Sequence, residues 1–156
     1  MTKTNQSTAT MRLLTDLFAR FAPIGALPGG GVTRLAYTPP EDAMHGVFRD
    51  AAREMGLRVW TDCAGNSYAA NFPENTDGYT LIGSHLDSVI EGGEYDGVAG
   101  VLAGLAVLRA LREQQSALPV AVAAFRCEES SNFRLCTVGS GLVTGTLEES
   151  ALRAAV

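Results

Sequence analysis

Residues 79–126, YTLIGSHLDSVIEGGEYDGVAGVLAGLAVLRALREQQSALPVAVAAFR, decide the fold. Residues 79–83 read as a strand, introduced by the turn pair Asp77-Gly78. A glycine-rich loop leads to a helix starting near Asp96, whose Val98, Val101, Leu102, Leu105 and Leu108 fall on one face. Gly100 and Gly104 share that helix at a four-residue spacing and predict close packing on a sheet. Residues 119–125 form a continuous apolar run, the pattern of a strand buried on both faces. Strand, crossover helix and buried strand together predict a right-handed parallel unit of an α/β sheet. Ligands in such sheets gather beyond the carboxyl ends of the strands. The residues just past Gly83 and Phe125 are therefore the first candidates for chemistry.

Working outward, Met11, Leu14, Leu17, Phe18 and Phe21 predict a first helix over 10–21, closed by Pro23. Pro39-Pro40 leads into a second helix with Met44, Val47, Phe48, Ala51, Ala52 and Met55 on one face and Gly56 as its C-terminal cap. Residues 57–61 and 67–72 read as short strands around Gly65-Asn66, and the chain beyond Gly139 as helical. The expected organisation is a flexible N-terminus over 1–9 and one unit over 10–156.

The 156 residues are 46% hydrophobic and 19% charged, enough for a core and too apolar for a disordered chain. A net charge of -5 without a basic stripe argues against nucleic-acid binding. No apolar stretch is long enough to span a bilayer, and MTKTNQSTAT lacks the apolar core of a signal peptide. Cys63, Cys127 and Cys136 fit neither a disulfide framework nor a zinc knuckle, so a reduced, cytoplasmic setting is expected.

Three short motifs carry the chemistry. In Gly83-Ser84-His85-Leu86-Asp87-Ser88, His85 offers a ligand for zinc or manganese, and Asp87 could fix its tautomer. In Gly92-Gly93-Glu94-Tyr95-Asp96-Gly97, Asp96 reads either as a plain helix N-cap or as a carboxylate bridging two cations. In Arg126-Cys127-Glu128-Glu129, two carboxylates at the mouth of an apolar strand need an offsetting positive charge. Arg126 could supply it, and a metal would do so better. One glutamate could then bind metal and its neighbour act as general base. Cys127 with His85 as base is a weaker nucleophilic reading. His45, beside core positions of the second helix, reads as structural.

GSHLDSVIEGGEYDGVAGVLAGLAVLRAL, followed by FRCEESSNF and VGSGLVTG, resembles the zinc-peptidase-like amidohydrolases. That family includes N-carbamoyl-L-amino-acid hydrolases, allantoate amidohydrolase and β-ureidopropionase. GGVTRLAYTPPEDA and DCAGN are similar to its opening segments, so the resemblance runs from about residue 11 to about 150. It implies a mixed, largely parallel sheet flanked by helices, the zinc-exopeptidase-like catalytic domain, here incomplete. It also implies two divalent ions, zinc or manganese, with cobalt or nickel as alternatives. By motif, His85 would bind the first metal, Asp96 bridge both and Glu129 bind the second. Glu128 would be the general base and Asp87 would orient His85. The implied reaction is hydrolysis of a carbamoyl, ureido or related amide C–N bond in a small substrate, by a water activated between the metals.

The family also carries a His-x-Glu-Gln-Gly motif, a late histidine and an inserted domain through which it forms homodimers. This sequence holds only His45 and His85. Each metal would have two protein ligands, where catalytic zinc usually has about three plus water. The expectation is a truncated chain with little activity alone. The alternative is a non-catalytic fold that associates with a partner chain.

Overall fold

The computed structural model describes residues 3–155. Its elements are α1 (Lys3–Phe21), α2 (Pro39–Glu54), β1 (Arg58–Thr61), β2 (Ser67–Ala70), β3 (Thr80–His85), α3 (Val98–Glu113), β4 (Val120–Phe125), α4 (Val138–Thr144) and α5 (Glu149–Ala154). Of the N-terminal segment 1–9, residues 1–2 lie outside the described residues, and the helix opens at Lys3 rather than at Thr10.

The sheet has the order β1-β2-β4-β3. β3 and β4 pair in parallel, Thr80 opposite Val120 through His85 opposite Phe125, with α3 crossing between them. β1 and β2 form an antiparallel hairpin, and β2 pairs antiparallel with β4. The sheet is mixed, and three of its four strands share one direction. Because β2 is inserted between β1 and β4 and runs against them, only one of the three pairings is parallel.

α1 packs against both α2 and α3, and α2 and α3 lie on the sheet. Phe48, Leu105 and Leu108 are fully buried there with Val122. Each such side chain contributes roughly 1.5–3 kcal/mol by leaving water. A Cβ on Gly100 would sit 2.7 Å from Ser84 Cβ, and one on Gly104 2.7 Å from Val122 Cγ1. The two glycines are what let α3 lie this close to β3 and β4. On the opposite face, Trp60 stacks on Tyr68 at 4.9 Å, and Phe72 lies 4.9 Å from Tyr79. Among the described residues no helix is long and apolar enough to cross a membrane.

His45 is structural. It is fully buried, and its Nδ1 lies 2.9 Å from Ser67 Oγ, which also accepts a hydrogen bond from Arg49 Nη1 at 3.1 Å. Burial, reinforced by Arg126 and Arg49, pushes its pKa from 6.5 down to about 3. Between these values the unfolded chain binds a proton that the folded chain refuses. Stability is therefore lost as pH falls through this window, by roughly 1.4 kcal/mol per pH unit at most, and is unaffected by this group above it. Urea unfolding of wild type and His45→Asn between pH 7 and pH 4 should show a steeper loss in wild type. Parallel pH profiles would refute the assignment.

Candidate metal centre

His85 is the last residue of β3, and strand pairing with Phe125 fixes its backbone. Its side chain is mostly buried. Nδ1 lies 3.1 Å from the Asp87 main-chain carbonyl and 3.4 Å from Asp87 Oδ1. A carbonyl only accepts, so Nδ1 carries the proton and the neutral ring presents a bare Nε2. Burial alone would lower the pKa of His85; hydrogen bonding and charge from Asp87, with Glu128 behind, outweigh it and raise it. Nε2 faces Asp96 Oδ1 at 3.7 Å and Glu128 Oε2 at 3.9 Å.

Asp96 is not a helix cap. Gly97 holds the N-cap position of α3, with φ of 66°, and no side chain caps the helix. A Cβ on Gly97 would lie 2.5 Å from the His85 carbonyl oxygen and 2.7 Å from its Nδ1. Glycine here lets the chain turn directly against the imidazole, leaving the Asp96 carboxylate facing it. That carboxylate is over half exposed and has no hydrogen-bond partner among the described residues, apart from its approach to His85.

Asp87 is buried and joins two loops. Its Oδ1 accepts the Glu128 N–H at 3.2 Å and its Oδ2 the Glu129 N–H at 2.9 Å. From the other side, the carbonyls of Arg126, Cys127 and Glu128 accept the N–H groups of Gly139, Val138 and Thr137 at 2.8–2.9 Å. The start of α4 thus grips the turn that carries the glutamates. Burial, then repulsion from Glu128, raises the pKa of Glu129.

His85, Asp96 and Glu129 each offer a ligand atom within 4.8 Å of the others. Zinc binds nitrogen and oxygen donors at about 2.0–2.2 Å, so donors sharing one ion stand roughly 3–4 Å apart. The donor set of one imidazole and two carboxylates fits a divalent ion of zinc or manganese type. Its charge balance agrees: besides Asp87, the carboxylates of Asp96, Glu128 and Glu129 gather at His85, and no lysine or arginine pairs with these three among the described residues. Arg126 does not offset the glutamates as its position suggested. Its guanidinium is taken by Glu41 and Asp42, both at 2.6 Å, and by the Gly65 carbonyl.

Cys127 is no nucleophile in this arrangement. It is fully buried, and burial with the neighbouring carboxylates pushes its pKa up to about 12. Residue-level reading of the sequence passed over Glu41 and Asn66. Asn66 Oδ1 accepts the Arg126 N–H at 2.9 Å, and its Nδ2 donates to the Gly139 carbonyl at 3.1 Å. Only the GGVTRLAYTPPEDA, DCAGN and VGSG runs marked these positions, and nothing in their spacing links them.

The chain is 42% identical over 132 residues to the N-carbamoyl-L-amino acid amidohydrolase of Geobacillus stearothermophilus, covering 83% of this chain and 32% of that protein. It is 34% identical to the allantoate amidohydrolase of Bacillus subtilis, covering 92% of this chain and 36% of the relative. A hydantoinase/carbamoylase family amidase from Burkholderia ambifaria superposes with a TM-score of 0.81 at 38% identity, over 90% of this chain and 35% of that one. The chain spans about a third of the length of these relatives. The family model described as Peptidase family M28 matches residues 66–152, which run from the Asn66 that holds β4 through all three acidic motifs to α5. With more than half of its length matched, the chain belongs to Peptidase family M28.

Proposed function

We propose that residues 10–156 are the N-terminal portion of the catalytic domain of a two-metal hydrolase of non-peptide C–N bonds. Its substrates are N-carbamoyl-amino acids or ureido compounds of the allantoate type. The observation that carries this reading is the convergence of ligand atoms of His85, Asp96 and Glu129 within 4.8 Å of one another, together with relatives named for such hydrolyses. Divalent ions held there would polarise a carbonyl and acidify a water.

His85 and Asp96 would hold one ion, and Asp96 and Glu129 would hold the other. Asp87 fixes the His85 tautomer through its carbonyl and carboxylate. Glu128 sits 3.9 Å from His85 Nε2 with a carboxylate partly open to solvent, suited to take a proton from the attacking water. It then returns that proton to the departing nitrogen. Each ion would have two protein donors from this chain, so weak affinity and low turnover are expected of the 156 residues alone. A reduced, cytoplasmic setting goes with this reading, with Cys63, Cys127 and Cys136 all free.

Equilibrium dialysis with zinc and an assay for N-carbamoyl-amino-acid hydrolysis test the proposal. Wild type should bind zinc in the micromolar-to-millimolar range, as expected of a site about one ligand short. His85→Ala should lose at least tenfold in affinity, whereas Glu128→Gln should keep it. Wild type that binds no zinc, or His85→Ala that binds as well as wild type, would refute the ligand assignment.

A further inference from the structure

Thr38-Pro39-Pro40-Glu41 has the spacing of a capping box, in which the threonine and glutamate satisfy free N–H groups of their own helix. Neither residue does so in the usual way. Thr38 makes no side-chain cap bond; its hydroxyl donates to the Leu35 carbonyl. Glu41 turns inward and is fully buried. Its Oε2 accepts the Tyr37 N–H and Arg126 Nη1, both at 2.6 Å. Its Oε1 accepts the Cys127 N–H at 3.3 Å and lies 3.9 Å from His45 Nε2.

The Cys127 contact is the telling one. Cys127 has φ of 51°, a left-handed conformation that a non-glycine residue holds only when its surroundings impose it. It directly precedes Glu128. The three successive N–H groups of Cys127, Glu128 and Glu129 donate to two buried carboxylates, Glu41 from α2 and Asp87 from the loop after β3. The ladder with β3 ends at Phe125, so these carboxylates take over as the chain leaves the sheet. Asp42 provides a contrast within the same cluster. It also binds Arg126, but it is largely exposed and does not touch Cys127.

We infer that Glu41 is a positioning residue: it imposes the left-handed turn at Cys127 and thereby aims Glu128 and Glu129 at His85. The inference rests on the reading of His85, Asp96 and Glu129 as metal ligands for its consequence, but not for its structural half. Amide hydrogen exchange without metal reads the turn, and zinc dialysis reads the aim.

In the 156-residue chain, Glu41→Gln keeps the side-chain length and one acceptor oxygen but loses the charge and the second acceptor. Exchange at Cys127, Glu128 and Glu129 should quicken at least tenfold more than exchange within α3, and zinc affinity should fall at least tenfold. Glu41→Asp, which keeps the charge and retreats by one methylene, should show the same two changes more weakly and serves if Glu41→Gln does not fold. Asp42→Asn should leave both within twofold of wild type. Leu105→Ala, a core truncation away from the turn, should lower the unfolding midpoint without changing zinc affinity.

Variants of Glu41 whose exchange at 127–129 stays within twofold of wild type would overturn the inference. So would zinc affinity in those variants no weaker than in Leu105→Ala. If wild type itself binds no zinc, the metal-site reading falls separately, and the exchange data alone decide whether Glu41 holds the turn.

Discussion

Replacing Asp87 with alanine is expected to cost about 2–4 kcal/mol of stability and at least tenfold in metal affinity. The side chain is buried and accepts two main-chain N–H groups, those of Glu128 and Glu129. Alanine leaves both donors without an acceptor and opens the space between the β3 and β4 loops. An unsatisfied buried donor costs about 1–3 kcal/mol, more than the bond itself contributes in net terms. The same change removes the carboxylate beside His85 Nδ1. Asp87→Asn separates the two effects. It keeps the shape and one carbonyl acceptor, so its stability loss should be about half that of alanine. Urea titrations of the three proteins give the stabilities, and zinc dialysis gives the affinities. A fully stable Asp87→Ala variant would show that the two loops are held by other contacts.

Gly97→Ala is expected to destabilise the chain by about 2–4 kcal/mol and to displace the His85 ring. Two costs combine. At φ of 66° an alanine is strained, and its Cβ would lie 2.5 Å from the His85 carbonyl oxygen and 2.7 Å from Nδ1 and Cε1. Main-chain oxygen at the end of a paired strand cannot yield cheaply. Gly78→Ala isolates the strain: φ there is 74°, and an added Cβ meets nothing within 4 Å. It should cost only about 1 kcal/mol. The difference between the two variants measures how tightly the helix start is pressed on the imidazole. Equal losses in Gly97→Ala and Gly78→Ala would mean that no such pressure exists.

The β3–α3–β4 unit was legible because each of its elements repeats a local pattern. The face of Val98, Val101, Leu102, Leu105 and Leu108 and the unbroken apolar run of β4 are periodic signals, and each is buried as expected. The insertion of β2 between β1 and β4 was not legible. Strand order depends on which edges meet, and a four-residue strand such as Ser67–Ala70 carries too little pattern to choose a neighbour. At the site, His85, Asp96, Glu128 and Glu129 stood out as residue types past strand ends, and the fold brings them to one place. What supports them did not stand out. Glu41 contacts a turn 86 residues away in sequence, and Asn66 reaches Gly139 across 73 residues. Contacts of that separation leave no periodicity to read, and Arg126, which sequence proximity offered as an alternative to a metal for balancing Glu128 and Glu129, binds Glu41 and Asp42 instead.

The proposed divalent-metal site is formed by His85, Asp96 and Glu129, with Asp96 common to both ions. Titrating Mn2+ into isotope-labelled chain and following backbone amide signals by NMR tests it most directly, because paramagnetic broadening maps the ion even when binding is weak. The account predicts that broadening begins at His85, Asp96, Gly97, Glu128 and Glu129, and that His85→Ala removes it at the same Mn2+ concentration. Broadening centred elsewhere, for example on the exposed Glu149 of α5, or a pattern unchanged in His85→Ala, would contradict it.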